Sequence, residues 1–188
     1  MNGAPNGHIT VANGAAPARF AALIGRADAA IPKPSFYLDF ERMSERETIA
    51  EAVANIVAEF GLFDDWLDRY EYIIELGRKL PGLPPERRAE TARVKGCQSQ
   101  VWFHAREQGG RVFFEADSDA MIVRGLIALL LRVYSGRRPE EILATPPDFF
   151  EKIELGSHLT GNRANGLHAM VKHIQGYARS FQATAPAP

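Results

Sequence analysis

The stretch VWFHAREQGGRVFFEAD, residues 101–117, predicts a β-hairpin. Its two halves, Val101 to Arg106 and Val112 to Asp117, alternate in side-chain character and are rich in aromatic residues, a pattern typical of strands. The residues EQGG, 107–110, join the halves as a turn. Because a two-stranded hairpin is only marginally stable alone, helices must cover one of its faces.

Helical patterns precede the hairpin. The residues SERE, 44–47, have the form of a capping box and open an amphipathic helix that Gly61 ends. Asp64 or Asp65 caps a second helix, which the proline-rich residues 80–85 stop. The sequence therefore predicts two helices before the hairpin.

Helical patterns also follow the hairpin. The strongly apolar stretch from Ala120 to Tyr134 predicts a helix, for which Asp117 to Asp119 supplies polar caps. Short helical pieces are expected near residues 140–143 and 148–154, and a final helix from about Ala164 to Phe181. The predicted buried stripe of this final helix consists of Leu167, Met170, Val171, Ile174, Tyr177 and Phe181.

The order of these elements indicates the fold class. Helices that are segregated from one small hairpin favour an α+β fold over a parallel α/β sheet. A short strand at Ala92 to Lys95 is also expected to pair beside the hairpin, giving two to three antiparallel strands packed by helices. In that arrangement Cys97 lies at the tip of a loop between two strands.

Composition and charge exclude several classes of function. Lysine plus arginine total 22 and aspartate plus glutamate total 23, so the chain lacks the basic surface of a nucleic-acid binder. The longest apolar run beyond the N-terminal region, Leu126 to Leu131, is too short to span a membrane. The single cysteine excludes an internal disulfide and a multi-cysteine metal cage, and it favours a reducing, cytoplasmic location.

The two ends of the chain differ from its middle. Residues 1–42 are rich in alanine, glycine, proline and asparagine, which predicts a flexible N-terminal extension. Met43 opens the periodic part, so translation from Met43 is an alternative. We expect the folded domain over residues 43–181 and a frayed tail over 182–188.

The single thiol lies in VKGCQSQVWF, residues 94–103. A free cysteine is most often a small buried hydrophobe. The polar flanks and Gly96 instead favour a loop, and the nearby Lys95 and Arg93 would stabilise the nucleophilic thiolate. The residues themselves leave both an inert and a reactive Cys97 open.

Other polar motifs each allow two interpretations. His158, in a polar loop, would complete a cysteine hydrolase if it approached Cys97 in space. Asp117 and Asp119 suit acid–base work or, more simply, helix capping. The glycine-rich residues 161–166 suit anion binding or, more simply, a turn with an N-cap.

Four segments in one collinear order resemble the SufE family of sulfur-acceptor proteins. They are YEYIIELGRKLPGLPPERR (70–88), VKGCQSQVWF (94–103), EADSDAMIVRGLIALLLRVYSG (115–136) and HLTGNRANGLHAMVKHI (158–174). GCQSQVW is the most specific of these motifs, and the match extends over about residues 44–180. The resemblance implies a fold shared with iron–sulfur scaffold proteins of the IscU type, a small antiparallel sheet packed by helices.

The resemblance also implies a role and partners. A SufS-like, pyridoxal-phosphate-dependent cysteine desulfurase would hold sulfur as a persulfide, and this chain would accept the outer sulfur and pass it to a downstream iron–sulfur scaffold complex. The family's acceptor cysteine corresponds to Cys97. The chain would need no cofactor or metal of its own, because thiolate attack on a persulfide resembles thiol–disulfide exchange.

The remaining matching positions are expected to support the cysteine loop or to contact the partner. They are Gly96, Gln98, Ser99, Gln100, Asp117, Asp119, His158 and Arg163. Two alternatives stay open: a cysteine-dependent hydrolase or transferase that uses Cys97 and His158, and an adaptor that binds the desulfurase without accepting sulfur.

Overall fold

The computed structural model describes residues 47–184. Our predictions for residues 1–42, including the alternative start at Met43, concern a part of the chain outside this range, and the predicted domain boundaries stay predictions. The helices are α1 (Ile49–Phe60), α2 (Trp66–Lys79), α3 (Met121–Tyr134), α4 (Pro139–Ala144), α5 (Phe149–Lys152), α6 (Leu155–His158) and α7 (Gly161–Thr184). The strands are β1 (Val101–Gln108) and β2 (Arg111–Ser118), preceded by 3-10 turns at Pro85–Arg87 and Glu90–Ala92.

The predicted hairpin is confirmed. Strands β1 and β2 pair antiparallel, with Val101 opposite Ser118 and Gln108 opposite Arg111. Gly109 and Gly110 have φ of 61° and 76°, the positive values that a tight hairpin turn requires. The turn is therefore shorter than the sequence predicted, and both strands are correspondingly longer.

The predicted third strand at Ala92 to Lys95 is wrong. Arg93 forms a single bridge to Trp102, and the Val94 amide donates to the Val101 carbonyl at 2.8 Å. The 3-10 turn Glu90–Ala92 precedes this contact and a turn at residues 95–96 follows it, so there is no room for a longer ladder.

One face of the hairpin is buried beneath helices. Val101 and Phe103 on β1 and Phe114 on β2 are almost completely buried. Helix α3 packs on β2, and α7 reaches the same sheet through Tyr177, whose hydroxyl donates to the Phe103 carbonyl at 3.1 Å. The α+β fold with a small antiparallel sheet is confirmed.

Helices α2 and α3 cross closely at two glycines. A Cβ placed on Gly77 would lie 2.8 Å from the Gly125 amide nitrogen, and one on Gly125 would lie 2.5 Å from the Ile73 Cγ2 atom. Neither space admits a methyl group without movement of backbone. The glycines therefore allow a closer approach of the two helices than any other residue would.

The first two helices begin at side-chain caps. Helix α1 starts with a capping box formed by Thr48 and Glu51, where the Thr48 amide donates to the Glu51 carboxylate at 2.7 Å. The box predicted at residues 44–47 is wrong in its position, because Glu47 is not helical; Ser44 itself lies outside the described residues. Asp65 caps α2, as one of the two predicted alternatives.

The predicted capping of α3 by residues 117–119 is wrong. The N-cap position is Ala120, which makes no side-chain capping bond. Asp117 instead pairs with Arg88 at 2.8 Å and with Arg124, and Asp119 binds a backbone amide of the loop before β1. These carboxylates are engaged by Arg88, by Arg124 of α3 itself and by the loop before β1, so they do not cap the amides at the start of the helix.

The final helix starts earlier than predicted. Helix α7 begins at Gly161 because the amides of Arg163 and Ala164 both donate to the Thr160 carbonyl, and it continues to Thr184. All six residues of its predicted stripe are buried. Within residues 47–184, every helix is too short or too polar to cross a membrane.

The crossing of α2 and α3 generates a first prediction. Gly125→Ala should lower the free energy of unfolding by about 1–3 kcal/mol, the usual cost of overpacking. The loss occurs even though alanine is favoured over glycine in a helix by about 1 kcal/mol, because the new methyl meets the Ile73 backbone. Urea denaturation followed by circular dichroism measures the change.

Gly161→Ala is the matched control for this prediction. A Cβ at Gly161 meets no atom within 4 Å, so Gly161→Ala should leave the protein as stable as the wild type or more stable, by at most about 1 kcal/mol. Equal effects of the two substitutions would contradict the close crossing.

Candidate functional site

The loop of residues 95–100 carries the only cysteine and is closed at its base. The Arg93–Trp102 bridge and the hydrogen bond between Val94 and Val101 hold its two ends together. Gly96 has a φ of 96°, a conformation that side chains rarely adopt, and it turns the chain back immediately before Cys97. The closed base and the glycine turn place the thiol at the tip of the loop.

A second attachment fixes the C-terminal side of the loop. The Asp119 carboxylate accepts a hydrogen bond from the Gln100 amide at 2.9 Å, and the Asp119 amide donates to the Gln100 carbonyl at 3.2 Å. The Ser118 hydroxyl donates to the same carbonyl at 2.8 Å. Gln100 is thus bound through its backbone to the end of β2.

The Cys97 thiol is half-buried against α7. Its S–H group donates to the Gly166 carbonyl at an Sγ–O distance of 3.5 Å. Burial raises the pKa of the Cys97 thiol above its ordinary value. The expected stabilisation of the thiolate by Lys95 and Arg93 is not found, since Lys95 is exposed and Arg93 pairs with Glu90 at 3.2 Å. The resting sulfur is therefore a protonated thiol at neutral pH.

A cavity of about 120 Å³ adjoins the thiol. Its inner wall is apolar and comes from α3 and α7. The residues of this wall are Ile122, Val123, Leu126 and Met170. The outer rim is polar, with Gln98, Ser99, Asn162 and Arg163 around the opening. The Asn162 amide donates to the Gln98 side-chain oxygen at 3.3 Å, so the rim also ties the loop to the first turn of α7.

Arg163, Gln98 and Ser99, three of the residues expected to support the cysteine loop or to contact a partner, line the cavity. Asp119 lies at the base of the same loop through its bond to Gln100. Asp117 does not line the cavity. Its buried carboxylate accepts from the Leu83 amide at 3.0 Å and pairs with two arginines, which supports the segment after α2.

The ring contact described for His158 is with Trp66 and not with the thiol. His158 ends the short helix α6 instead of occupying a polar loop, and its ring stacks on Trp66 with centroids 4.0 Å apart. It is not among the residues that line the Cys97 cavity. In the described part of the chain, the structure therefore does not bring the two members of the predicted hydrolase pair together.

Sequence reasoning missed part of the cavity wall. Asn162, Gly166 and Met170 recur every fourth residue and share one face of α7, where all three line the cavity. The glycines among residues 161–166 favour a turn with an N-cap when they are considered without the helix that follows. Extending the helical period of the final helix to Gly161 would have placed these three residues on one face.

Comparison with known families agrees with the motifs. Residues 54–178 match the family model described as "SufE: Fe-S metabolism associated domain". An uncharacterized SufE-like protein of Rhizobium meliloti is 44% identical over 128 residues, which cover 65% of this chain and 91% of that protein. An uncharacterized SufE-like protein of Synechocystis is 38% identical over 135 residues, which cover 72% of this chain and 85% of that protein.

A solved structure shows the same fold. The solution structure of a hypothetical protein from Thermus thermophilus superposes with a TM-score of 0.60 and 27% sequence identity. The superposition covers 71% of this chain and 97% of that one. Fold, motif order and family match agree, and the chain belongs to the SufE family, whose domain is associated with iron–sulfur metabolism.

Proposed function

We propose that this protein accepts sulfur from a SufS-like, pyridoxal-phosphate-dependent cysteine desulfurase and delivers it to an iron–sulfur scaffold complex in the cytoplasm. The Cys97 thiolate attacks the outer sulfur of the donor's persulfide, and a new S–S bond forms at Cys97. The donor's own S–S bond breaks, and its cysteine leaves as a thiolate. The resting Cys97 thiol loses one proton before the attack and the donor's leaving thiolate takes one up, so protons balance and the step consumes no oxidant or reductant.

The observation that carries this proposal is a single thiol at the tip of a loop, half-buried beside a cavity. A carrier thiol must be able to reach a partner, and a loop tip permits this. It must also be shielded between transfers, because thiolates and their persulfides oxidise. With only one cysteine in the chain, the acquired persulfide cannot be resolved into an internal disulfide.

The neighbours of Cys97 divide into two roles in this proposal. Gly96 and Gln100 set the bend and the base of the loop, and Asp119 fixes that base. The side chains of Gln98, Ser99 and Arg163 surround the opening, where an approaching desulfurase would meet them first. Asp117 and His158 act at a distance, through the packing of α2 and its neighbours.

The position of His158 does not support the hydrolase alternative. A cysteine hydrolase needs a histidine within hydrogen-bond reach of the thiol, but His158 stacks on Trp66 and the Cys97 S–H group donates to a backbone carbonyl. Turnover of an ester or amide by the purified protein alone would nevertheless favour the hydrolase.

Sulfur acceptance predicts a change in mass. After incubation with a cognate desulfurase, pyridoxal phosphate and free cysteine, intact-mass spectrometry should show a gain of one sulfur atom. Cys97→Ser should show no gain and should abolish the stimulation of alanine release, because the hydroxyl is a poor nucleophile for sulfur. Stimulation of the desulfurase without any gain at Cys97 would favour the adaptor.

The raised pKa of Cys97 predicts a slow reaction with alkylating reagents. Only the thiolate reacts, and a raised pKa leaves less thiolate at neutral pH, so folded protein should alkylate more slowly than urea-unfolded protein. The pH at which the alkylation rate is half-maximal should lie above that of the unfolded chain. Equal midpoints in the two states would contradict the burial of the thiol.

A further inference from the structure

We propose that Gly166 and Ala169 of α7 form a seat for the cysteine loop, that is, the helix surface on which the loop packs. The size of residue 166 then determines how far the Cys97 thiol is buried and how slowly it reacts. The two residues act by positioning Cys97 and take no part in the sulfur exchange. This inference rests on the proposed carrier function, since it concerns the resting state of the same thiol.

The loop meets α7 at two small residues about one turn apart. A Cβ placed on Gly166 would lie 3.6 Å from the Cys97 Sγ atom and 3.9 Å from its Cα and Cβ atoms. A Cβ placed on Gly96 would lie 3.5 Å from the Ala169 Cβ atom. Consecutive loop residues therefore rest on neighbouring positions of one helix face.

The backbone of α7 does not itself require a glycine at position 166. Gly166 lies in the interior of the helix, where glycine is the least favourable residue after proline. Gly166 also does not need the conformational freedom of glycine. The described glycines with a positive φ are Gly96, Gly109, Gly110 and Gly136. The nearest atoms to its missing side chain all belong to Cys97, so the loop is what this position accommodates.

The Gly166 carbonyl also binds the thiol through a hydrogen bond. A backbone carbonyl has two lone pairs, so a helical residue can accept the Cys97 S–H group in addition to its helical hydrogen bond. A bond donated by the thiol favours the protonated sulfur over the thiolate. The seat thus holds the sulfur in place and also in its less reactive form.

The geometry predicts that the alkylation rate of Cys97 rises only when the side chain at position 166 is larger than a methyl group. Gly166→Ala would place a methyl at 3.6 Å from Sγ, an ordinary contact, so the alkylation rate of Cys97 should change by less than about twofold. Gly166→Val adds two further carbons beyond a methyl that already contacts the sulfur, so the loop should leave its seat and alkylation should accelerate by about tenfold or more. The rates are measured without desulfurase, with a small alkylating reagent.

Gly161→Ala and Gly161→Val are the matched controls. Gly161 belongs to the same helix, and a Cβ there meets nothing within 4 Å, so both variants should alkylate at the wild-type rate. Acceleration by Gly161→Val equal to that by Gly166→Val would overturn the proposal. So would an unchanged alkylation rate in a folded Gly166→Val protein.

Two further measurements distinguish local displacement of the cysteine loop from destabilisation of the whole fold. Valine is no worse than glycine inside a helix, so Gly166→Val should keep the wild-type circular dichroism spectrum while its thiol becomes reactive. The midpoint of its alkylation pH profile should move down towards that of the unfolded chain. If Gly166→Val does not fold, the half-buried position 169 provides the test: Ala169→Val should accelerate alkylation several-fold, and an unchanged rate would overturn the proposal.

Failure of this inference is distinguishable from failure of the proposed function. Wild-type protein that gains sulfur from the desulfurase, together with a slowly alkylating Gly166→Val variant, would overturn the seat alone. Wild-type protein that gains no sulfur would overturn the carrier function, whatever the alkylation rates show.

Discussion

The antiparallel register of one hairpin determines where every part of the site lies. Because Val101 pairs with Ser118, the loop that precedes β1 and the chain that enters α3 emerge at the same end of the sheet. The apolar face of the hairpin must also be covered, and α7 covers it through Tyr177. These two requirements bring the cysteine loop, the start of α3 and the first turns of α7 around one cavity.

The hairpin and the buried face of the final helix could be predicted from local sequence patterns alone. The alternation on each side of Gly109 and Gly110 predicted the hairpin, and the period of α7 predicted its buried stripe. Two of the predictions that failed depend on contacts formed in the folded chain. The sequence favours Asp117 as a cap, but the structure pairs it with Arg88 from the segment after α2 and with Arg124 of α3. The distance between His158 and the thiol depends on tertiary packing that no local pattern records.

Nearby cations and burial have opposite effects on the pKa of the Cys97 thiol, and the sequence alone suggested that the cations would dominate. Two cations close to Cys97 in sequence favoured a thiolate, yet Lys95 is exposed to solvent and its charge is screened there. Burial against α7 acts in the opposite direction and dominates. Reactivity is therefore a property of the loop's position, so a change in that position alters the chemistry of the sulfur without altering any residue.

The closed base of the cysteine loop sets a limit on reach. Val94 on one side and Gln100 on the other are held by backbone hydrogen bonds to the sheet, and Cys97 is three residues from each anchor. A tether of that length, fully extended, spans only about 10 Å. Any protein that exchanges an atom with this sulfur must therefore bring its own reacting group to within about 10 Å of the end of the sheet. That reacting group must lie in a shallow cleft or on a flexible loop.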